Sequence, residues 1–240
     1  MTLRNSSPKL RKIFSKKLFI TVCGQKGGVA KTCTSVHLAS VWHSEGKKVC
    51  IVDADKNRSA LAYSSRGNLP FPVFPVSSAA KASRSSEIVI TDGQASSDTE
   101  ELKHLAYGSD LVILPTTAKA RSVELTVELA SLLNTLKVNH AVVIVKVDFR
   151  QQKAAQQAKA ALENFGLHVF DTFIPLLSAF DKAEASGNAV FEAVDDLGRS
   201  DPRRMTGWSA YCSIASQIPC LISKHSSDTN NSNSLKPISA

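Results

Sequence analysis

The residues best placed to do chemistry are Gly24-Gln25-Lys26-Gly27-Gly28-Val29-Ala30-Lys31-Thr32, which follow the apolar run LFITVC and precede a helical pattern. Glycines at the end of a strand let backbone N–H groups curl around phosphate oxygens. The positive end of the next helix points at the same anion. Lys31 supplies a neutralising charge, and the Thr32 hydroxyl suits a Mg²⁺ ligand. The strict G-x-x-x-x-G-K-[ST] pattern fails, because Ala30 and Gln25 occupy its two glycine positions. What remains is K-G-G-x-x-K-T, with Gly27, Gly28, Val29, Ala30, Lys31, Thr32 and Cys33 as candidate nucleotide contacts. The bland alternative is a glycine-rich turn carrying two solvated lysines. A methyl group at Ala30 is expected to be tolerated only at negative φ.

Phosphoryl transfer to water also needs a carboxylate near the metal and a group that orients the water. The segment VCIVDADKNRSAL places Asp53 and Asp55 two apart, hence on one side if the chain stays extended. The alternative reading is a carboxylate cap on a helix beginning near Ser59. A third apolar run, EIVITD, closes on Asp92, which sets another carboxylate beside the same site.

These groups need a scaffold, and the remainder of the chain describes one. It has 240 residues, 43% hydrophobic and 21% charged, enough to bury a core without disulfides or a structural metal. The five cysteines form no C-x-x-C pair; Cys23 and Cys50 are expected to pack as small hydrophobes, and the usage fits a reducing cytoplasm. Val- and Ile-rich runs without alternation predict strands at Leu18–Cys23, Val49–Asp53, Glu87–Asp92, Asp110–Leu114, Ala141–Val147 and Leu167–Ile174. Helical patterns cover about 31–46, 98–107, 119–136, 151–165 and 207–222. The alternation predicts an α/β fold, a doubly wound parallel sheet with helices on both faces. Residues 64–86 read as irregular, with a short edge strand at FPVFPV. One domain is expected over residues 17–222, between a basic disordered tail at 1–16 and a polar disordered tail at 223–240. The net charge of +8 is mostly a tail effect. Residues 1–17 hold six basic residues and no acid, leaving 23 basic against 21 acidic elsewhere. Such an arm is either a polyanion-binding segment or a solvated leader.

The loop, D-x-D and apolar-run-then-Asp, in this order and spacing, resemble the ParA/MinD-type ATPases with a deviant phosphate loop, and most closely short ParA-like partition ATPases. The resemblance covers most of residues 18–195. It implies a P-loop fold, ATP and Mg²⁺ as cofactors, and a homodimer formed on ATP. It makes Lys26 the signature lysine that reaches the partner subunit's nucleotide. It gives Lys31 to the phosphates, Thr32, Asp53 and Asp92 to Mg²⁺, and Asp55 to the attacking water. Cys33 replaces a Thr or Ser that usually helps hold the α-phosphate, and Lys56-Asn57 and Gly93-Gln94 depart from the family pattern. The stretch FIPLLSAFDKAEASGNAVFE resembles the family's base-pocket segment, with Gly187 and Val190 matching and Asp148 or Pro175 expected near the base.

Three function classes follow from that resemblance. A partition or cargo-positioning ATPase would bind DNA without sequence preference, with Arg199, Arg203 and Arg204 as candidate contacts. It would answer to a ParB-like or centromere-binding adaptor and be cytoplasmic and nucleoid-associated. A MinD-like membrane-associated ATPase is the alternative, but SSDTNNSNSLKPISA has neither face of an amphipathic anchor, so no membrane is expected. An iron–sulfur reductase would need cysteines between Cys50 and Cys212, where there are none. The 17 residues before the first strand are too few for a helix-turn-helix domain.

Overall fold

A computed structural model of the chain describes residues 17–95, 99–195 and 197–232. Six strands form its sheet: β1 Leu18–Gly24, β2 Val49–Ala54, β3 Val73–Pro75, β4 Ile88–Ala95, β5 Leu111–Thr116 and β6 His140–Ile144. They pair in the order β3-β2-β4-β1-β5-β6, and every pair is parallel. The helices are α1 Lys31–Ser44, α2 Ser59–Ser64, α3 Ala79–Ser85, α4 Thr99–Tyr107, α5 Ala120–Thr135, α6 Gln152–Asn164, α7 Ser178–Ser186 and α8 Arg204–Ser232.

The strand sequences lack polar alternation because both faces are covered. Leu18, Ile20, Val22, Ile88, Ile90, Leu111, Ile113, Val143 and Val145 face one layer, where Val36 and Leu38 of α1 and Tyr211, Ile214 and Ile218 of α8 close the core. The intervening residues Cys23, Val112, Leu114, Val142 and Ile144 face Leu129 and Leu133 of α5 and Leu162 of α6. On this second face, Ala82 of α3 covers Cys50, Val52 and Val89. Cys23 and Cys50 are therefore core residues, as expected, and burial pushes the Cys23 thiol up to about 12. All six strands end at the same edge of the sheet, where β1 meets the glycine loop and β2 and β4 deliver Asp53 and Asp92, which are register partners.

Four expectations need correcting. Leu167–Ile174 is not a continuous strand: it bridges β6 at Val142 to Val169, bends at Asp171-Thr172, and returns with the Ile174 N–H donating to the Ile144 carbonyl at 2.9 Å before Val147 bridges to Pro175. The sixth strand stops at Ile144, and Lys146 takes a left-handed φ of 56°, which breaks the ladder before the expected end at Val147. The stretch 64–86 contains a helix, α3, beside the expected edge strand β3. The last helix runs to Ser232, past the boundary expected at 222, since a helix already nucleated and packed extends through poor helix formers at little further cost.

Candidate functional site

The loop between β1 and α1 encloses the Lys31 side chain. Lys31 is 7% exposed, and its Nζ donates to the Lys26 carbonyl at 3.3 Å. Burial lowers its pKa, opposed by the neighbouring Asp55, Asp92 and Cys23. Asp92 is fully buried. Its Oδ2 accepts from the Thr32 hydroxyl at 2.7 Å and its Oδ1 from the Ser35 hydroxyl at 2.9 Å. Burial pushes the Asp92 carboxyl up to about 6, with Asp53 adding to the rise and the two hydroxyls and Lys31 opposing it.

Asp53 and Asp55 divide their work. Asp53 is buried, and backbone amides take both of its oxygens: Asp55 N–H on Oδ1 at 3.0 Å and Leu61 N–H on Oδ2 at 2.8 Å. It is Asp53 that holds the first turn of α2, so the capping alternative belongs to Asp53. Asp55 lies past the end of β2, accepts from Asn57 N–H at 2.8 Å and lines the cavity.

That cavity has a volume of about 490 Å³, within the usual range for small-molecule sites. Gly27, Gly28, Ala30, Lys31, Thr32 and Cys33 line its phosphate end, and Pro175 its far end. A Cβ at Gly27 or Gly28 would meet nothing within 4 Å, so the loop backbone stands open toward a ligand. Several expected residues are not in the lining. Val29 is buried beneath the loop, Asp53 and Asp92 lie behind Thr32, and Asp148 accepts from Arg150 N–H at the start of a short 3₁₀ turn. Lys26 does not line the cavity either; it is half-buried, and its ammonium has no hydrogen-bond or ion-pair partner among the described residues.

Ala30 departs from expectation. It sits at φ 59° and ψ 33°, the left-handed region where a methyl costs about 1–2 kcal/mol. Cys33 lines the cavity with its thiol turned toward the interior, 3.5 Å from His37 Nδ1 and 3.7 Å from the Tyr211 hydroxyl. Burial pushes that thiol up to about 12, so it stays neutral. His37 Nδ1 donates to the Cys33 carbonyl, Nε2 accepts from Val190 N–H, and the ring stacks on Tyr211, tying α1 to α8. Gly187 caps α7 at φ 67°.

Sequence reasoning missed Tyr63, Lys146, Phe180, Asp181 and Glu184, all of which line the cavity. Phe180 and Glu184 stand four apart on α7, a spacing that puts them on one face once that helix is recognised. Lys146 carried no signal, because its exposure depends on the break after β6. Of the three arginines proposed for DNA, Arg199 pairs with Asp195 at 2.8 Å. Arg204 donates to the Asp201 carbonyl at 3.1 Å, and Arg203 is exposed.

The donor set suits Mg²⁺. The Thr32 hydroxyl and the Asp92 and Asp55 carboxylates are hard oxygens. Among the described residues no cluster of three or more His, Cys, Asp or Glu forms a protein cage. That fits an ion held by one or two protein oxygens, substrate phosphates and water.

Fold and site together define a P-loop nucleoside-triphosphate-binding protein built on a parallel sheet. Residues 20–190 match the family described as the CobQ/CobB/MinD/ParA nucleotide binding domain, and the chain belongs to that family. It is an ATPase of the ParA/MinD type, with ATP and Mg²⁺ as cofactors. Among curated proteins it is similar to "Maintenance of carboxysome distribution protein A" of Gloeobacter kilaueensis, 27% identical over 72% of this chain and 83% of that protein. Among solved structures it is similar in fold to the MinD cell division protein of Aquifex aeolicus (TM-score 0.66, 14% identity, 84% of this chain and 96% of that one). It is also similar in fold to the septum site-determining protein MinD of Pyrococcus horikoshii OT3, solved with Mg-ADP (TM-score 0.63, 14% identity, 87% and 98%).

Proposed function

We propose that the chain is a positioning ATPase. It dimerises when ATP fills the cavity, binds DNA without sequence preference in that state, and releases it when an adaptor protein stimulates hydrolysis. The cargo is a plasmid, a chromosome or a protein body, and the adaptor is of the ParB-like or centromere-binding kind. The relative named for carboxysome distribution supports cargo positioning as the class of work.

One observation carries the reading: the two loop lysines have different surroundings. Lys31 is buried in its own cavity, whereas the Lys26 ammonium stands outside that cavity with no partner among the described residues. A cation left in that state at the rim of an anion site is suited to phosphates held by a second copy. Lys31 and the loop amides neutralise the phosphates, and Asp55 orients the attacking water from the rim. Bound Mg²⁺ would be held at Thr32 with Asp92 behind it, and would supply charge stabilisation to the leaving phosphate oxygens. Asp53, through its two amide bonds, fixes the loop that carries Asp55.

The test is DNA retention and light scattering with and without Mg-ATP. Wild type and Asp55→Ala are expected to dimerise and retain DNA only with ATP, and Lys26→Ala to do neither. DNA retention that ignores nucleotide in the wild type would contradict the proposal.

A further inference from the structure

The positive charge of this chain is concentrated in two stretches of sequence, away from the arginines that sequence reasoning chose. Residues 56–86, which form α2, β3 and α3 on the β3 side of the sheet, hold Lys56, Arg58, Arg66, Lys81 and Arg84 and no acid; Lys56 and Arg58 lie by the cavity, and Lys81 and Arg84 on α3 near the amino edge of the sheet. Residues 1–17 hold six more cations and no acid. Taking those eleven from 29 leaves 18 basic against 21 acidic residues, so the rest of the chain is net negative.

One residue of the first stretch, Lys17, touches the second. Lys17, immediately before β1, donates from Nζ to the Ser83 carbonyl of α3. Helix α3 packs its Ala79 and Ala82 over Cys50, Val52 and Val89. That orientation sends Lys81 and Arg84, three apart and both exposed, outward on one face. They line a shallow open groove together with Ser77, Ser78, Ala80 and Ser85. The Lys81 ammonium lies over the Phe74 ring, and Arg84 makes no hydrogen bond or ion pair among the described residues. Lys48, exposed just before β2, adds a further cation at the same edge, near Glu87. By contrast the α7–α8 connection carries its own counter-charges: Arg199 pairs with Asp195, and Lys182 with Asp201.

We infer that the α3 face, with Lys17 beside it, is the nucleic-acid-binding surface of this protein, and that it contacts the phosphate backbone. This rests on the DNA-binding reading above and names its surface. Cations flanked by serine hydroxyls are the donors that phosphates take, and they carry no base selectivity. Among the exposed large hydrophobic side chains of the described residues only Val76 adjoins the groove, which favours a polyanion over insertion into a lipid surface. The position also explains how ATP can control DNA binding without reshaping the surface. Lys17 immediately precedes β1 and the glycine loop follows it, so the α3 face and the loop lie roughly 20 Å apart on opposite edges of the sheet. A dimer joined at the nucleotide edges leaves both α3 faces outward and doubles the cations on one particle, raising its avidity.

The experiment is fluorescence anisotropy of a labelled 30-base-pair duplex across 50–200 mM KCl with Mg-ATP. It compares wild type, Lys81→Ser/Arg84→Ser, Lys81→Arg/Arg84→Lys and Arg203→Ser. The serine pair is expected to bind at least tenfold more weakly, with a slope of log affinity against log salt shallower by about 3–4 for four cations per dimer. It should keep the wild-type melting temperature, ATP-dependent dimerisation and ATPase rate. The charge-conserving pair should bind like wild type. Wild-type affinity and slope in the serine pair would overturn the placement while leaving DNA binding intact, as would a loss confined to Arg203→Ser. A wild type that binds no DNA would overturn the functional reading and this surface with it. ATP-dependent sedimentation with anionic phospholipid vesicles, lost in the serine pair and without DNA binding, would reassign the surface to a membrane.

Discussion

Replacing Asp92 by asparagine should make the nucleotide-free protein more stable while ending its ability to place Mg²⁺. Asp92 is fully buried and its carboxyl is raised from 3.8 to about 6. Protonation is therefore tighter in the folded than in the unfolded chain. The stability it contributes is complete below pH 3.8 and is lost as pH rises through about 6. A shift of that size corresponds to a cost of about 3 kcal/mol at neutral pH, taken as an upper figure. The amide can be satisfied in the same place. Its oxygen accepts from Thr32, and its NH₂ can donate to Ser35 Oγ, which already donates to the Lys31 carbonyl at 3.1 Å. Allowing for imperfect fit, a net gain of about 2 kcal/mol remains, which for a chain of this length raises the melting temperature by about 4–8 °C. Thermal melts in EDTA, from pH 4.5 to 8, read this directly. The advantage of Asp92→Asn should grow between pH 4.5 and 6 and stay level above. It should reverse in Mg-ATP, where the wild type gains ligand stabilisation and the variant hydrolyses nothing. A variant less stable than wild type at pH 7.5 in EDTA, or an advantage independent of pH, would refute the assignment of Asp92 as a strained, metal-awaiting carboxylate.

Two backbone predictions follow from φ angles. Ala30→Gly relieves a left-handed alanine at φ 59° but adds unfolded-state freedom, so a net stabilisation of about 0.5–1 kcal/mol is expected in urea titrations, with ATPase activity retained. Gly187→Ala should destabilise by at least about 2 kcal/mol in the same titrations, because φ is 67° and the added Cβ would lie 2.6 Å from Arg66 Cβ and 3.1 Å from the Tyr63 carbonyl.

The sheet was legible because buried parallel strands write themselves as Val/Ile runs. Five of the six expected strands have counterparts, and β3 lies where the prolines of FPVFPV pointed to an edge. Leu167–Ile174 has the same composition as a strand, but the bend at Asp171-Thr172 interrupts its pairing with β6 between Val169 and Ile174, an effect that composition does not carry. The phosphate end of the site was equally readable, since it is built from one contiguous loop and from strand-terminal aspartates. The far end was not. Tyr63, Lys146 and the pair Phe180 and Glu184 come from three separate segments and meet only when α2, β6 and α7 are in place. The division between Asp53 and Asp55 was likewise out of reach, because it depends on where β2 ends and on which amides of α2 fall within reach.

Mixing two inactive variants measures most directly whether the signature lysine works across a dimer. Lys26→Ala keeps a complete cavity of its own, and Lys31→Ala keeps an intact Lys26 for its partner. Each alone should hydrolyse ATP at background rate. Together they should recover a substantial part of the wild-type rate, saturating as one is titrated into the other. Full activity of Lys26→Ala by itself, or no recovery in a mixture that still forms mixed dimers, would contradict a lysine supplied in trans.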